Sequence, residues 1–141
     1  MDTGLIVTKG KIELKTDGML KKIQGRMTVK INDQCFENIG VLWDTGCTDS
    51  GIDTSLFEKL LNLEKDWSTI STASGHTNTE YVVTSIEIAG IKLEGIRLVK
   101  TSNLKQTQGL DMLIGMDVIQ NGRMVIQCSE SEKSFEFIFN Q

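Results

Sequence analysis

The chain has 141 residues, 39% of them hydrophobic, and a formal net charge of −4. This length and composition predict one domain over residues 1–141 with an adequate core, and an acidic chain without basic blocks does not favour nucleic-acid binding. No apolar run approaches the ~20 residues of a membrane-spanning helix, so we expect no membrane partner. Three cysteines cannot all pair with one another, which favours reduced thiols and a cytoplasmic location.

Most of the chain alternates polar and apolar residues, and this period of two is typical of β-strands. Strands are predicted over residues 5–8, 11–15, 27–31, 35–36, 86–88, 91–93 and 96–98, with turns at Asn32-Asp33, Ala89-Gly90 and Glu94-Gly95. A final strand carries Phe135, Phe137 and Phe139 on one face. Such an aromatic stripe packs either into a core or into a dimer interface.

Two short helices interrupt the strands. Asp53-Thr54-Ser55 offers N-cap residues, and Ser55 with Glu58 fits a capping box. Apolar residues at helical spacing then extend this first helix to a predicted end near Leu63. The second helix is predicted over residues 116–120, before Asn121-Gly122. The order of elements favours a mainly β domain.

An apolar strand over residues 41–43 ends in Asp44-Thr45-Gly46, which places a carboxylate, a hydroxyl and a glycine at one turn. An ionised carboxylate at the edge of a dry interior is unfavourable unless a neighbour shares its proton. Gly46 allows a tight turn and exposes amide hydrogens to that carboxylate. The tripeptide Asp2-Thr3-Gly4 follows no apolar strand, so we interpret it as a solvated turn. Asp44 is therefore the candidate catalytic acid.

A second apolar run, Met112-Leu113-Ile114, leads into Gly115, whose small size lets another backbone approach closely. In order and spacing, this run and the Asp44-Thr45-Gly46 turn resemble the two motifs of the retroviral-type (retropepsin-like) aspartic proteases. The chain looks especially similar to the single-domain cellular and bacterial members. The resemblance implies a mainly β fold, a retropepsin-like acid-protease barrel with a flap hairpin and one or two short helices.

The resemblance also implies an aspartic endopeptidase that acts as a homodimer, with Asp44, Thr45 and Gly46 as its catalytic residues. One chain carries one such acid, and a twofold axis would set Asp44 beside its symmetry mate. Carboxyls about 3 Å apart cannot both ionise, so the pair would hold one proton and activate a water molecule. The implied substrate is an extended peptide or protein. No cofactor and no metal are implied.

Residues 71–76 fall where the family has its flap, a glycine-tipped hairpin that closes over the substrate. By resemblance, Ser74 and Gly75 would contact the substrate from this flap, and Ile114 from the later strand. Asp49 lies close to the catalytic motif and is a further candidate for substrate contact. The alternative for Asp49 is a polar turn residue without a function.

The chain departs from the family pattern near both motifs. Cys47 follows the glycine where alanine or serine is usual, and we interpret it as a small buried filler, with an oxidation-sensitive brake as the alternative. Thr48 and Met116 replace the acid and the arginine that pair in many retroviral members, so the first or last strands are expected to supply the dimer interface. Asp117 is predicted to bind backbone amides rather than to act in catalysis.

Other chemistries have less support in the sequence. A cysteine hydrolase needs a histidine beside a thiolate, and the only histidine, His76, falls in a predicted loop. The three cysteines and His76 lack the paired spacing of a zinc site. The main alternative to an enzyme is a catalytically weak dimerisation or peptide-binding module on the same fold, because a fold does not determine a function.

Overall fold

The computed structural model describes residues 4–72 and 75–140, so the predicted turn at Asp2-Thr3-Gly4 lies largely outside the described residues. The chain is mainly β, as predicted. The strands are β1 (Ile6–Thr8), β2 (Lys11–Thr16), β3 (Gln24–Ile31), β4 (Gln34–Trp43), β5 (Gly51–Asp53), β6 (Asp66–Thr72), β7 (Gly75–Ile88), β8 (Ile91–Thr101), β9 (Met112–Ile114), β10 (Gly122–Cys128) and β11 (Lys133–Phe139). The helices are α1 (Thr54–Phe57), α2 (Leu104–Gln108) and α3 (Met116–Ile119).

Two hairpin turns are formed by pairs of residues in the left-handed region. Asn32 and Asp33 have φ angles of 51° and 64°, and they join β3 to β4. Ala89 and Gly90 have φ angles of 53° and 76°, and they join β7 to β8. Two left-handed residues in succession give a turn whose twist matches the strands of a hairpin. Both of these predicted turns are confirmed.

The predicted turn at Glu94-Gly95 is wrong. Strand β8 continues through both residues, and its ladder with β7 shifts register between Thr84 and Ile86 instead. Gly95 has a φ of 69°, a conformation that glycine adopts readily at a bulge. Gly95 therefore marks a bulge inside one long strand. The prediction failed because a glycine between two apolar segments looks the same in the sequence whether it forms a turn or a bulge.

The larger sheet places the ends of two distant strands side by side. Its seven strands lie in the order β3-β4-β9-β5-β8-β7-β6, and β3 also pairs with β7. The short strand β9 lies between β4 and β5, parallel to β4 and antiparallel to β5. Trp43, the last residue of β4, is opposite Ile114, the last residue of β9. The segments that follow both strands therefore begin at the same place.

The smaller sheet has the order β1-β2-β11-β10. Phe135, Phe137 and Phe139 of β11 are all buried. The Trp43 ring packs on Phe137 with the ring centroids 4.9 Å apart, and one hydrophobic cluster includes residues of both sheets. Because one copy of the chain already buries the aromatic stripe, the core interpretation of that stripe is correct.

The helices differ from the predictions in two respects. Helix α1 ends at Phe57 rather than near Leu63, and α2, which was not predicted, gives the described part of the chain three short helices rather than one or two. Asp53 is the N-cap of α1, as predicted, and accepts a hydrogen bond from the amide of Ser55 at 2.9 Å. The proposed capping box of Ser55 and Glu58 is not formed, because Glu58 lies beyond the helix and pairs with lysines. The second predicted helix is confirmed as α3.

No helix within residues 4–72 and 75–140 is both long enough and apolar enough to cross a membrane.

Candidate active site

The loop between β4 and β5 carries the Asp44-Thr45-Gly46 motif and is anchored to the segment that follows β9. The amide of Asp44 donates to the carbonyl of Ile114 at 2.8 Å. The amide of Met116 donates to the carbonyl of Cys47, also at 2.8 Å. A neighbouring strand therefore fixes the backbone of the motif, which a turn alone would leave free to move.

Both carboxylate oxygens of Asp44 accept hydrogen bonds from the same loop. The amide of Gly46 donates to Oδ1 at 2.8 Å, and the thiol of Cys47 donates to Oδ2 at 3.2 Å. A Cβ atom at position 46 would lie 3.1 Å from Oδ1, so any other residue here would have to displace the carboxylate oxygen by a few tenths of an ångström. Thr45 is exposed, and its hydroxyl has no hydrogen-bond partner in the part of the chain that the structure describes. Asp44 itself is half-buried.

Cys47 remains a thiol at neutral pH. Burial, the hydrogen bond to Asp44, and the negative charges of Asp44 and Asp117 raise the pKa of the Cys47 thiol to about 11. A protonated thiol is a hydrogen-bond donor. Cys47 is therefore more than a filler of small volume, since it donates to the carboxylate of Asp44. Its role as an oxidation-sensitive brake stays a prediction.

Ser50, which the sequence analysis did not single out, connects the loop to α3. Its buried hydroxyl donates to Asp117 Oδ1 at 2.6 Å and accepts from the amide of Gly115 at 2.9 Å. Asp117 also accepts the amides of Ser50 and Val118, at 3.0 Å and 2.9 Å. Asp117 thus binds backbone amides, as predicted. A small polar residue at the start of a fully buried strand is the sequence signal that could have identified Ser50.

Gly115 lies directly against the catalytic loop. A Cβ atom at this position would be 2.8 Å from the carbonyl oxygen of Cys47 and 3.0 Å from the carbonyl carbon and oxygen of Asp49. These contacts are with backbone atoms, which cannot rotate away as a side chain can. The predicted close approach of another backbone is confirmed.

A cleft of about 520 Å³ opens beside the motif. Gly46 and Asp49 of the loop, Leu113 of β9, and Ser68 and Thr69 of β6 belong to its wall. Strand β6 pairs with β7 along its whole length, so this wall is continuous with a long hairpin. The cleft therefore lies between the catalytic loop and the hairpin at the predicted flap.

Of the residues predicted to contact substrate, one lines the cleft and another is buried in the core. Asp49 lines the cleft. Ile114 does not, because its side chain is fully buried, and the adjacent Leu113 lines the cleft in its place. Successive side chains of a strand point to opposite faces, so an error of one residue exchanges a core position for a cleft position.

The flap prediction is tested only in part. Strands β6 and β7 form an antiparallel hairpin that reaches from the Asp66–Tyr81 pair to the Thr72–Gly75 pair. Gly75 is exposed and has a φ of 125°, whereas Ser74 lies outside the described residues. His76 belongs to β7, so its predicted loop position is wrong.

Comparison with known proteins decides the family. The sequence model described as aspartyl protease matches residues 27–118, which is more than half of the chain. The chain belongs to the aspartyl protease family. Comparison of the sequence with curated proteins finds no significant match.

The solved structure of EIAV protease shows a similar fold for this aspartyl protease family member. EIAV protease, in a complex with the inhibitor HBY-793, matches with a TM-score of 0.52 and 20% identity, over 73% of this chain and 91% of that chain. The solution structure of simian foamy virus (mac) protease matches with a TM-score of 0.44 and 14% identity, over 67% of this chain and 91% of that chain. The resemblance to retropepsin-like proteases that the sequence motifs indicated is confirmed.

Two other acids near the loop of this family member, Asp117 and Asp111, have structural partners, whereas the half-buried Asp49 has none in the described part of the chain. Asp117 is occupied by Ser50 and backbone amides. Asp111 accepts from the amide of Gly40 at 2.8 Å and pairs with Lys105 at 2.9 Å. Within residues 4–72 and 75–140, no group of three or more histidine, cysteine, aspartate or glutamate side chains could hold a metal ion. Asp44 is half-buried and precedes the loop residues that line the cleft, which begin at Gly46.

Proposed function

We propose that this chain is an aspartic endopeptidase that acts as a homodimer and hydrolyses extended peptides. One observation carries the proposal: the catalytic motif holds a single carboxylate, Asp44, whose oxygens are both oriented by its own loop. Amide hydrolysis by a water molecule needs a base that accepts a proton and an acid that donates one. A second copy of Asp44 supplies the missing group, because a twofold axis brings equivalent residues together.

In the proposed mechanism, the two Asp44 carboxyls share one proton, as is general in this enzyme class. The ionised carboxylate takes a proton from the water molecule, whose oxygen attacks the carbonyl carbon of the scissile bond. The protonated carboxyl gives its proton to the carbonyl oxygen, which yields a gem-diol. When the diol collapses, the carbon–nitrogen bond breaks and the amine leaves with a proton. A shared proton favours activity at mildly acidic pH.

The edge strands of the smaller sheet support the proposed dimer. Strands β1 and β10 form the two edges of that sheet within the described residues. They expose Ile6 and Val7 on β1 and Ile126 on β10, which are 50%, 42% and 50% exposed. Exposed apolar residues on an unpaired edge are unfavourable unless another strand covers them. The exposed hydroxyl of Thr45 is also available to a second copy.

The substrate is proposed to lie in the cleft as an added strand, with Asp49 and Leu113 among its contacts. Gly75 and Ser74 are proposed to cover it from the flap hairpin. The three free thiols support the further proposal of a cytoplasmic location.

The decisive experiment mixes wild type with the Asp44→Asn variant. Alone, the variant should fold normally and cleave no peptide, because asparagine can neither accept the proton of water nor share one. Added in increasing amounts to a fixed amount of wild type, it should lower the rate of peptide hydrolysis, since exchange produces dimers with one carboxylate. At equal amounts and random pairing, about half of the wild-type rate should remain, because half of the wild-type protomers sit in mixed dimers.

Two results would contradict the proposal. Hydrolysis by Asp44→Asn at the wild-type rate would exclude this carboxylate from the chemistry, and a wild-type rate that is indifferent to added variant would mean that one copy holds a complete site. The alternative, a peptide-binding module, predicts that both proteins bind peptides equally well and that neither cleaves them. The control is Asp33→Asn, which makes the same replacement of a carboxylate by an amide at an exposed turn.

A further inference from the structure

Arg97 of β8 lines the cleft beside the catalytic loop. It is half-buried, and its guanidinium carbon lies 4.0 Å from the centroid of the Tyr81 ring on the neighbouring strand. Stacking of a guanidinium on an aromatic face restricts the orientation of its plane. The cleft therefore has a positively charged group at a fixed place in its wall.

Among the residues that the structure describes, the guanidinium of Arg97 has no polar partner. Its Nε atom is buried and lacks a hydrogen-bond acceptor. Across residues 4–72 and 75–140, the guanidinium donates no hydrogen bond and joins no ion pair. Of the five N–H donors of a guanidinium, the one on Nε is removed from water here without an acceptor, which is costly. A ligand that brings an acceptor to this wall would relieve that cost.

Two acids in this part of the molecule, Asp49 and Asp66, do not supply the acceptor that Arg97 lacks. Asp49 also lines the cleft, but no ion pair joins it to Arg97 in the described part of the chain. Asp66 lies 3.5 Å from the hydroxyl of Tyr81 and accepts the amide of Trp67. Among the described side chains, only the Arg97 Nε and the Trp43 Nε1 are buried polar atoms without a partner. The cleft wall thus lacks a hydrogen-bond acceptor for the Arg97 guanidinium.

We propose that Arg97 determines specificity by binding an aspartate or glutamate side chain of the peptide substrate. The inference rests on the proposed function and adds to it the class of substrate. A carboxylate matches the planar fork of a guanidinium and can accept two parallel N–H bonds. An extended peptide that passes the catalytic loop presents alternate side chains to one wall, so one of its positions should face Arg97.

The test uses a set of unstructured peptides that differ only by glutamate or glutamine at successive positions. Binding is measured by fluorescence anisotropy on the Asp44→Asn variant, and cleavage is measured by kcat/KM on wild type. At one position, the glutamate peptide should be preferred about tenfold, the lower end of what a charge-assisted hydrogen bond contributes, because Arg97 is only half-buried. Arg97→Gln should remove the preference, whereas Arg26→Gln, an exposed arginine outside the cleft, should retain it.

A gain of function separates recognition from misfolding. Arg97→Glu should reverse the preference, so that lysine at the same position is favoured over glutamine. Equal binding of glutamate and glutamine peptides at every position, or a preference that Arg97→Gln leaves intact, would overturn the inference. Either result would leave the proposed hydrolysis standing, because that proposal depends on the Asp44 experiment. Conversely, selective binding without cleavage would support Arg97 as a recognition residue and count against the protease.

Discussion

Gly115→Ala adds one methyl group at the contact between β9 and the catalytic loop. Its carbon would sit 2.8 Å from the Cys47 carbonyl oxygen and 3.0 Å from backbone atoms of Asp49. The φ of Gly115 is −97°, which alanine adopts without strain, so the steric contact is the only obstacle. Restoring ordinary contact distances needs a loop displacement of about 0.5 Å. Overpacking of this kind costs about 1–3 kcal/mol.

The displacement acts on the segment that orients Asp44. A misplacement of 1 Å can reduce a rate roughly 100-fold, so we expect the kcat/KM of Gly115→Ala to fall by about tenfold or more. Urea unfolding at one fixed protein concentration should show a lower midpoint with an unchanged slope. The matched control is Gly18→Ala, whose added carbon would meet only the Thr16 hydroxyl, at 3.7 Å. A Gly115→Ala protein with the wild-type midpoint and rate would refute the reasoning.

Two further predictions concern titratable groups. Iodoacetamide at about pH 8 should label the exposed Cys35 and Cys128 before Cys47, because only a thiolate reacts and the pKa of Cys47 is raised to about 11. The raised pKa also stabilises the fold below the ordinary value of 9.0, and this contribution should disappear as the pH rises through about 11. Mass spectrometry of the labelled peptides checks the order, and equal labelling rates would contradict it. Burial alone would raise the pKa of Asp53, but hydrogen bonds from the amide of Lys105 and from the start of α1 hold it below 3.8. Asp53→Ala should therefore lower the free energy of unfolding by about 2 kcal/mol at neutral pH. The difference should shrink as the pH falls through the lowered pKa, which urea unfolding at two pH values measures; a difference that stays constant in acid would refute the assignment.

The sequence predicts the turn at Asp44-Thr45-Gly46 well because its hydrogen bond is local. Asp44 and Gly46 are two residues apart, and the hydrogen bond between them needs no distant partner. Gly115 is also predictable, since a glycine after an apolar run permits a close approach. The turn at 32–33 follows from asparagine and aspartate, which tolerate the left-handed region, and the turn at 89–90 follows from Gly90.

Which side chains line the cleft depends on the register of the strands, and the pattern of polar and apolar residues does not determine that register. Leu113 and Ile114 are both apolar, and only the pairing of β9 between two strands decides which of them faces the cleft. Ser50 acts through Asp117, which is 67 residues away along the chain. Arg97 acquires its position from a ring on another strand. Which partners such side chains meet is set by the fold, and the residues next to them in sequence do not reveal it.

Helix α2 shows the same limit in a simpler form. It starts after Asn103, at a φ of 62°, and ends at Gly109, at a φ of 69°. Both residues are typical of helix boundaries, but the five residues between them lack an apolar stripe apart from Leu104. With one buried residue, a helix of five residues shows no repeat of apolar positions from which it could be predicted.

The packing of Trp43 on Phe137 connects the catalytic carboxylate to an outer rim of the molecule. Trp43 precedes Asp44 directly, and Phe137 belongs to the strand that pairs with β10 over its full length. The hairpin of β10 and β11 therefore supports, through the contact of these two tilted rings, the residue whose peptide bond joins it to Asp44.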